Sequence, residues 1–330
     1  MCTAITLQTV QGENFIGRTL DFSYQLHPHF YFVPRNYQWR NAVTGRLERG
    51  HYSFIGMGQK VDGILGFIDG VNEHGLAAAA LYFAGYASYD TAAWDSSAIQ
   101  VASYDFLHYI LGNCVSAENF CAQMSRVRII GMTDPLTQTV APLHWIVTDS
   151  TGQCIVLEQT ERGTELFANP MGVLANSPDL RWHMTNLRNY MEATPRQIEE
   201  IDWGGVRLSP FGQAGGTVAL PGGYTSPERF ARVAYLKSHV PQPESSQAAI
   251  SSFFQIMKGV SIPKGVVVTD RGTDDYTQYT ALINTNSGEY YFNTYENLQI
   301  KKVSLRAPET SSTTLVDLGG IMQPMTFGKL

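Results

Sequence analysis

The sequence predicts a layered α+β protein whose core is built on antiparallel sheets rather than on an alternating parallel one. Three observations predict it. Short stretches alternate apolar and polar residues in the way half-buried strands do. Helical patterns gather in two places instead of following every strand. A chain of 330 residues that is 44% hydrophobic and 16% charged can bury a large core, as a disordered chain cannot. No linker divides it before Pro308-Glu309-Thr310-Ser311-Ser312-Thr313-Thr314. One domain over residues 2–307 is therefore expected, with a loosely attached C-terminal tail at 308–330.

The elements follow in order. Residues 2–7 alternate, Gln11-Gly12-Glu13-Asn14 is a turn, and 15–20 reads as the second strand of an N-terminal hairpin. Further strands are expected at 30–34, 53–57, 76–82, 144–148, 154–158 and 171–175. A late group falls at 265–269, 276–284, 289–294 and 299–305, with Asn286-Ser287-Gly288 closing a hairpin. Helices are expected at 101–111 and 117–129, the second capped by Ser116, and again at 179–191, 227–239 and 246–258. Ser226-Pro227-Glu228 has the marks of a helix start: a hydroxyl, a proline at the first helical position and an acid near the positive end.

Composition excludes several functions. A net charge of −6 without a basic run argues against nucleic acid or an anionic membrane surface as partner. No apolar run is long enough for a bilayer, and the start lacks the basic-then-apolar pattern of a secretory signal. A cytoplasmic protein with reduced thiols is expected. Cys2, Cys114, Cys121 and Cys154 fit no zinc spacing. Cys114 and Cys121 are expected to share one buried helical face. There is no G-x-S-x-G, H-E-x-x-H or phosphate loop. Gly56-Met57-Gly58-Gln59-Lys60 lacks the third glycine of a dinucleotide fingerprint. No metal and no cofactor are expected. His144 and His183 read as packed residues rather than as partners of a catalytic cysteine.

Cys2 is the residue on which chemistry can be built. Trimming of Met1 would leave one amino acid carrying both a free α-amine and a thiol. Unperturbed, these titrate at about 7.7–8.0 and about 8.5, so a neutral amine near pH 7 can take the proton of the thiol beside it. Nucleophile and base then come from a single residue. If the hairpin pairs as read, Arg18 or Asp21 lies across from the first residues of the chain. An arginine near the sulfur favours the thiolate, and a carboxylate near the amine can orient it. The two point to different faces unless the strand bends.

Met1-Cys2-Thr3 followed by Arg18-Thr19-Leu20-Asp21-Phe22 resembles the choloylglycine hydrolase family. That family belongs to the N-terminal nucleophile hydrolases and contains penicillin V acylases and conjugated bile salt hydrolases. The resemblance continues in Gly75-Leu76-Ala77-Ala78-Ala79-Ala80-Leu81-Tyr82-Phe83, in Leu174-Ala175-Asn176-Ser177-Pro178-Asp179, and in Leu220-Pro221-Gly222-Gly223-Tyr224-Thr225-Ser226-Pro227-Glu228-Arg229-Phe230. It implies a four-layer αββα sandwich of two packed antiparallel sheets. Position by position it implies Cys2 as nucleophile, flanked by Arg18 and Asp21. It implies an oxyanion hole from the Asn176 side-chain amide and the Tyr82 backbone N–H, with Arg229 as a further site arginine.

Tyr82 stands where bile salt hydrolases tend to carry asparagine and penicillin V acylases tyrosine. The stretch 175–187, with Trp182 and His183, also looks closer to the acylase branch. Ala175 and Ala219 depart from the usual threonine and glycine. The resemblance thus implies a cysteine amidohydrolase that cleaves the side-chain amide of penicillin V, or a similar apolar N-acyl amide, through a thioester. The alternatives are a conjugated bile salt or an N-acyl homoserine lactone as substrate and, more distantly, a non-catalytic binding protein for a small acylated molecule. Phe22, Tyr24, Met57 and Phe83, with loops near 57–65 and 130–141, are the expected pocket walls. Family members often assemble as tetramers through a segment matching 190–210, so a homotetramer is expected, with Met191, Ile198, Ile201 and Trp203 as candidate anchors.

Overall fold

A computed structural model describes residues 1–90, 98–307 and 312–327. The chain begins with β1 (Cys2–Gln8), β2 (Asn14–Phe22), β3 (His29–Val33), β4 (Gln38–Arg40), β5 (Leu47–Arg49), β6 (Phe54–Val61), β7 (Ile64–Asn72), β8 (Ala77–Tyr82) and β9 (Ile99–Ala102). Next come α1 (Phe106–Asn113), α2 (Ala117–Met124), β10 (Val127–Ile130), β11 (Leu143–Thr148), β12 (Cys154–Thr160), β13 (Gly163–Ala168), β14 (Val173–Leu174) and α3 (Leu180–Asn186). It ends with β15 (Ile201–Trp203), β16 (Val206–Leu208), α4 (Ser226–His239), α5 (Ser246–Lys258), β17 (Tyr276–Asn284), β18 (Glu289–Thr294), β19 (Lys301–Ser304) and β20 (Val316–Gly320).

Two large sheets dominate. One has six strands in the order β14-β1-β2-β17-β18-β19, the other eight in the order β13-β12-β11-β8-β7-β6-β3-β20. Every pairing within them is antiparallel. Ala4, Ile16, Ala281, Ile55, Met57, Ala79 and Leu81 meet between the sheets in one cluster. The opposite face of the eight-stranded sheet (Phe54, Ala78, Ala80, Trp145, Val147) packs on α1 and α2 through Phe106, Ile110 and Phe120. Phe230 and Val233 of α4 and Phe253 of α5 cover the six-stranded sheet. The αββα sandwich is therefore present, and its central strands are buried on both faces. That explains the run of small and apolar residues at Ala77-Ala78-Ala79-Ala80-Leu81, since alternate residues enter two different cores. It also explains Gly17 on β2: a Cβ there would stand 2.3 Å from Phe253 and 2.6 Å from the Ala281 carbonyl.

Several expectations need correction. Segment 101–111 is not all helix, because β9 runs in parallel beside β10 before α1 begins. Likewise α2 stops at Met124 and 127–130 is strand. Cys114 and Cys121 thus lie on different elements, the first as the C-cap of α1. Residues 265–269 hold only an isolated bridge, Val268 with Asp274. The expected loop at 57–65 is instead the β6–β7 hairpin, its turn at Asp62 and Gly63. Residues 308–311 and 328–330 of the expected tail lie outside the described residues. The rest of it is not loosely attached: Val316 and Asp317 pair with Phe32 and Tyr31, and Ile321 is buried.

Candidate active site

The site sits where the two sheets face each other at the start of the chain. Pairing of β1 with β2 sets Cys2 opposite Leu20, Thr3 opposite Thr19 and Ala4 opposite Arg18. Alternation then sorts the residues. Cys2, Ala4, Arg18 and Leu20 face the other sheet, while Thr3, Thr19 and Asp21 face α4. The strand does not bend to bring Arg18 and Asp21 together; they approach Cys2 from opposite faces.

On the inner face, the Arg18 guanidinium donates to Cys2 Sγ at 2.6 Å and to the Ala80 carbonyl at 2.7 Å. Burial disfavours its charge, yet Cys2, Tyr279, Asp69 and Asp21 together hold its proton affinity above the ordinary arginine value. On the outer face, Arg229 of α4 donates to the Cys2 carbonyl and Thr3 Oγ1, each at 2.5 Å, and to Asn176 Oδ1 at 2.6 Å. Its Nη1 is 3.9 Å from Asp21. Burial lowers the proton affinity of Arg229, opposed by Asp21 and Cys2. Asp21 is pushed up by burial, and Arg229, the N-terminal ammonium and Thr277 pull it back.

Asn176 is locked in orientation by its donors. Its Oδ1 accepts from the Cys2 N–H at 2.7 Å as well as from Arg229, so its Nδ2 must face the other way, where it donates to the Tyr82 carbonyl at 2.6 Å. Phe83 N–H donates to Pro142 toward β11. By alternation the Tyr82 backbone faces the β7 side, and β7 pairs with β8 only as far as Ala79. The Tyr82 N–H and the second Nδ2 hydrogen of Asn176 are therefore two donors beside one open strand edge, an arrangement that can hold an oxyanion.

Three residues that hold the asparagine were not expected in that role. Ser226 Oγ accepts from the Asn176 N–H at 2.8 Å. That hydroxyl was expected to start α4; the N-cap is instead Thr225, whose hydroxyl pairs with Glu228. His183 Nε2 donates to the Asn176 carbonyl at 2.8 Å, and His144 Nε2 to the Ala175 carbonyl at 2.9 Å. Burial lowers His183 to about 4, so its ring is neutral. Both histidines are packed, as expected of them, and both also fix the backbone on either side of the Ala175–Asn176 peptide. Their sequence signal was only that two histidines flank the asparagine motif.

Met1 is present in the described chain. Its carbonyl accepts from the Asp21 N–H, and its ammonium lies 3.3 Å from Asp275 as well as on the Asp21 carbonyl. With Met1 attached, the Cys2 nitrogen is an amide. Its removal would turn that nitrogen, already directed at Asn176, into an amine.

A cavity opens on Cys2, walled by Leu20, Phe22, Leu26, Val61, Ile64 and Leu136 among others. Of the four expected wall residues, Phe22 lines it. Tyr24 stands behind, its ring 5.2 Å from Phe22 and under the Arg271 guanidinium. Met57 and Phe83 do not line it. Met57 faces the core between the sheets, and Phe83 stacks on His144 at 4.2 Å. The segments near 57–65 and 130–141 do contribute, through Gln59, Val61, Ile64 and residues 134–137. Among the described residues, no cluster of three His, Cys, Asp or Glu could hold a metal, and no helix is long and apolar enough to cross a membrane.

A sandwich of this layering, with a buried cysteine opening the first central strand, defines an N-terminal nucleophile hydrolase fold. Over residues 2–317 the chain matches the linear amide C–N hydrolases of the choloylglycine hydrolase family, and it belongs to that family. It is 34% identical over 307 residues to a bile salt hydrolase/transferase of Clostridium perfringens, covering 92% of each chain. It superposes on the crystal structure of the C2A mutant of conjugated bile acid hydrolase from that organism, with a TM-score of 0.93, 32% identity and full coverage of both chains. Likeness to a penicillin V acylase of Pectobacterium atrosepticum is weaker, at 24% identity over 78% of this chain and 68% of that one. The protein is therefore an amide hydrolase, which sets aside the non-catalytic reading. The lean toward the acylase branch, drawn from Tyr82 and 175–187, does not agree with the order of these similarities.

Proposed function

We propose that this hydrolase cleaves the amide of a conjugated bile salt, with Cys2 as nucleophile after loss of Met1. The apolar cavity opening on the Cys2 sulfur carries the reading, since a steroid acyl group needs apolar walls and few polar ones. The stronger similarity to bile salt hydrolases supports it over penicillin V, which the sequence reading favoured. Penicillin V remains the second reading, because Phe22, Tyr24 and Tyr82 form an aromatic group beside the cavity suited to a phenoxy ring.

The steps follow from the geometry. The freed α-amine takes the thiol proton, and Arg18 stabilises the resulting sulfur anion. The sulfur attacks the acyl carbonyl, and the Asn176 amide and Tyr82 N–H receive the oxyanion. The ammonium gives its proton to the leaving amine as the C–N bond breaks. Water, deprotonated by the same amine, then releases the acid from the thioester. Arg229 and Asp21 hold the Cys2 backbone and Asn176 in register. The exposed apolar residues Met191, Ile198, Ile201 and Trp203 support assembly into a homotetramer, and the four free cysteines suit a reducing compartment such as the cytoplasm.

The test is a parallel assay of glycocholate, phenoxymethylpenicillin and an N-acyl homoserine lactone. The proposal expects the highest kcat/KM on glycocholate. A preference for phenoxymethylpenicillin would overturn the substrate assignment and leave the mechanism standing.

A further inference from the structure

Arg18 carries a full charge into the space between the sheets, and the side chain that answers it is Asp69 of β7. Asp69 is 1% exposed, with Oδ2 3.8 Å from Arg18 Nη1. Tyr279 O–H donates to Oδ2 at 2.7 Å, and Tyr290 O–H donates to Oδ1. Three strands of one sheet (β2, β17 and β18) thus converge on a single carboxylate of the other. A bulge in β17 makes this possible. Its register shifts between Thr277 and Tyr279, so Thr277 turns outward to Asp21 at 2.5 Å while Tyr279 turns inward to Asp69. Bulges beside active sites commonly re-aim a side chain in this way. Asp69 neither lines the cavity nor bonds the sulfur or Asn176. A buried carboxylate is costly unless paired and hydrogen-bonded, and here each oxygen has a tyrosine donor.

We propose that Asp69, held by Tyr279 and Tyr290, is a positioning residue that sets the charge Arg18 presents to the Cys2 sulfur. The inference rests on the reading of Cys2 as nucleophile. One edge of the guanidinium meets Sγ and the other faces Asp69. The carboxylate partly cancels the field that stabilises a thiolate. That keeps the sulfur reactive, because nucleophilicity falls as a thiol's proton affinity falls. The groups facing Asp69 are Arg18 from β2, Tyr279 from β17 and Tyr290 from β18, with Cys2 and Asp21 beyond Arg18. Burial pushes Asp69 up to about 6, opposed by Arg18 and Tyr279, so the compensation operates above that pH and fades below it.

The experiment is the pH dependence of Cys2 alkylation by iodoacetamide, read by mass spectrometry of the N-terminal peptide. It is run on the parent, Asp69→Asn and Tyr290→Phe. In Asp69→Asn the guanidinium is uncompensated, so the alkylation midpoint moves to lower pH by about one pH unit and the plateau rate falls severalfold. Tyr290→Phe keeps the carboxylate but removes a donor that shares its charge; above about pH 6, where Asp69 is ionised, its field on Arg18 is fuller and the midpoint moves up, by less. A midpoint that stays or rises in Asp69→Asn, or that stays or falls in Tyr290→Phe, overturns the proposal, whatever happens to turnover. If Asp69→Asn does not fold, Tyr290→Phe decides alone. Full labelling of Cys2 that leaves turnover intact would instead remove Cys2 as nucleophile, without touching the argument about charge at the sulfur.

Discussion

Two arginines lie fully buried beside one cysteine, and they are held in opposite ways. Arg18 comes from β2, points between the sheets and meets the sulfur. Its charge is raised in favour by Cys2, Tyr279 and two aspartates against the cost of burial. Arg229 comes from α4, points in from outside and meets the Cys2 carbonyl, Thr3 and Asn176. Burial lowers its proton affinity despite Asp21. The difference teaches that a strand with charged residues three apart can serve one neighbour from both faces. One arginine meets the Cys2 sulfur; the other holds the backbone and the amide that surround it.

The comparison can be broken first at Arg18. Arg18→Leu removes the cation at the sulfur and leaves Asp69 without its counter-charge. Turnover is expected to fall by ~10³-fold or more, together with the rate of Cys2 alkylation near pH 7. An alkylation rate equal to the parent's would mean the sulfur does not depend on Arg18. Arg229→Leu is expected to cost about 10²-fold in kcat, because Asn176 Oδ1 loses a donor and its amide is freed to turn. Cys2 alkylation should stay within a few-fold of the parent. If both variants lose turnover and alkylation alike, the division of labour is wrong.

A smaller effect separates the two sides by pH. On the Arg229 side, folded His183 protonates near 4 and an unfolded histidine near 6.5. Between those values the unfolded chain binds more protons, so stability falls as pH falls through the window. Asp69 on the Arg18 side has the reverse sign: it is raised to about 6, so the folded state binds the proton first and gains as pH falls. His183→Gln should therefore lose less Tm than the parent between pH 6.5 and 4.5. An unchanged slope of Tm against pH would show that His183 is not the titrating group.

Much of this was legible in the sequence, for identifiable reasons. The β1–β2 hairpin, α4, α5 and the β17–β18 hairpin announce themselves by alternation, caps and turn residues. The strand β7 did not, because Gly66, Asp69 and Gly70 interrupt its pattern, and a Cβ on Gly70 would stand 2.7 Å from the Ile55 carbonyl. The polar run before Val316 hid a strand whose partner, β3, lies almost three hundred residues away. Within the site, the five other residues implied by family resemblance lie around Cys2. Asp69 and Ser226 had no sequence signal: a lone acid and a helix-start serine look ordinary until the fold shows what they touch. Met57 was misplaced because β6 is buried on both faces, so being apolar did not reveal which way it points.

The account depends most on the state of the N-terminus. Intact mass of the purified enzyme, measured on the sample that is assayed, tests it directly. The account predicts that active protein lacks Met1 and begins with an unmodified Cys2. Full turnover by a species that retains Met1, or whose Cys2 nitrogen is blocked, would contradict it.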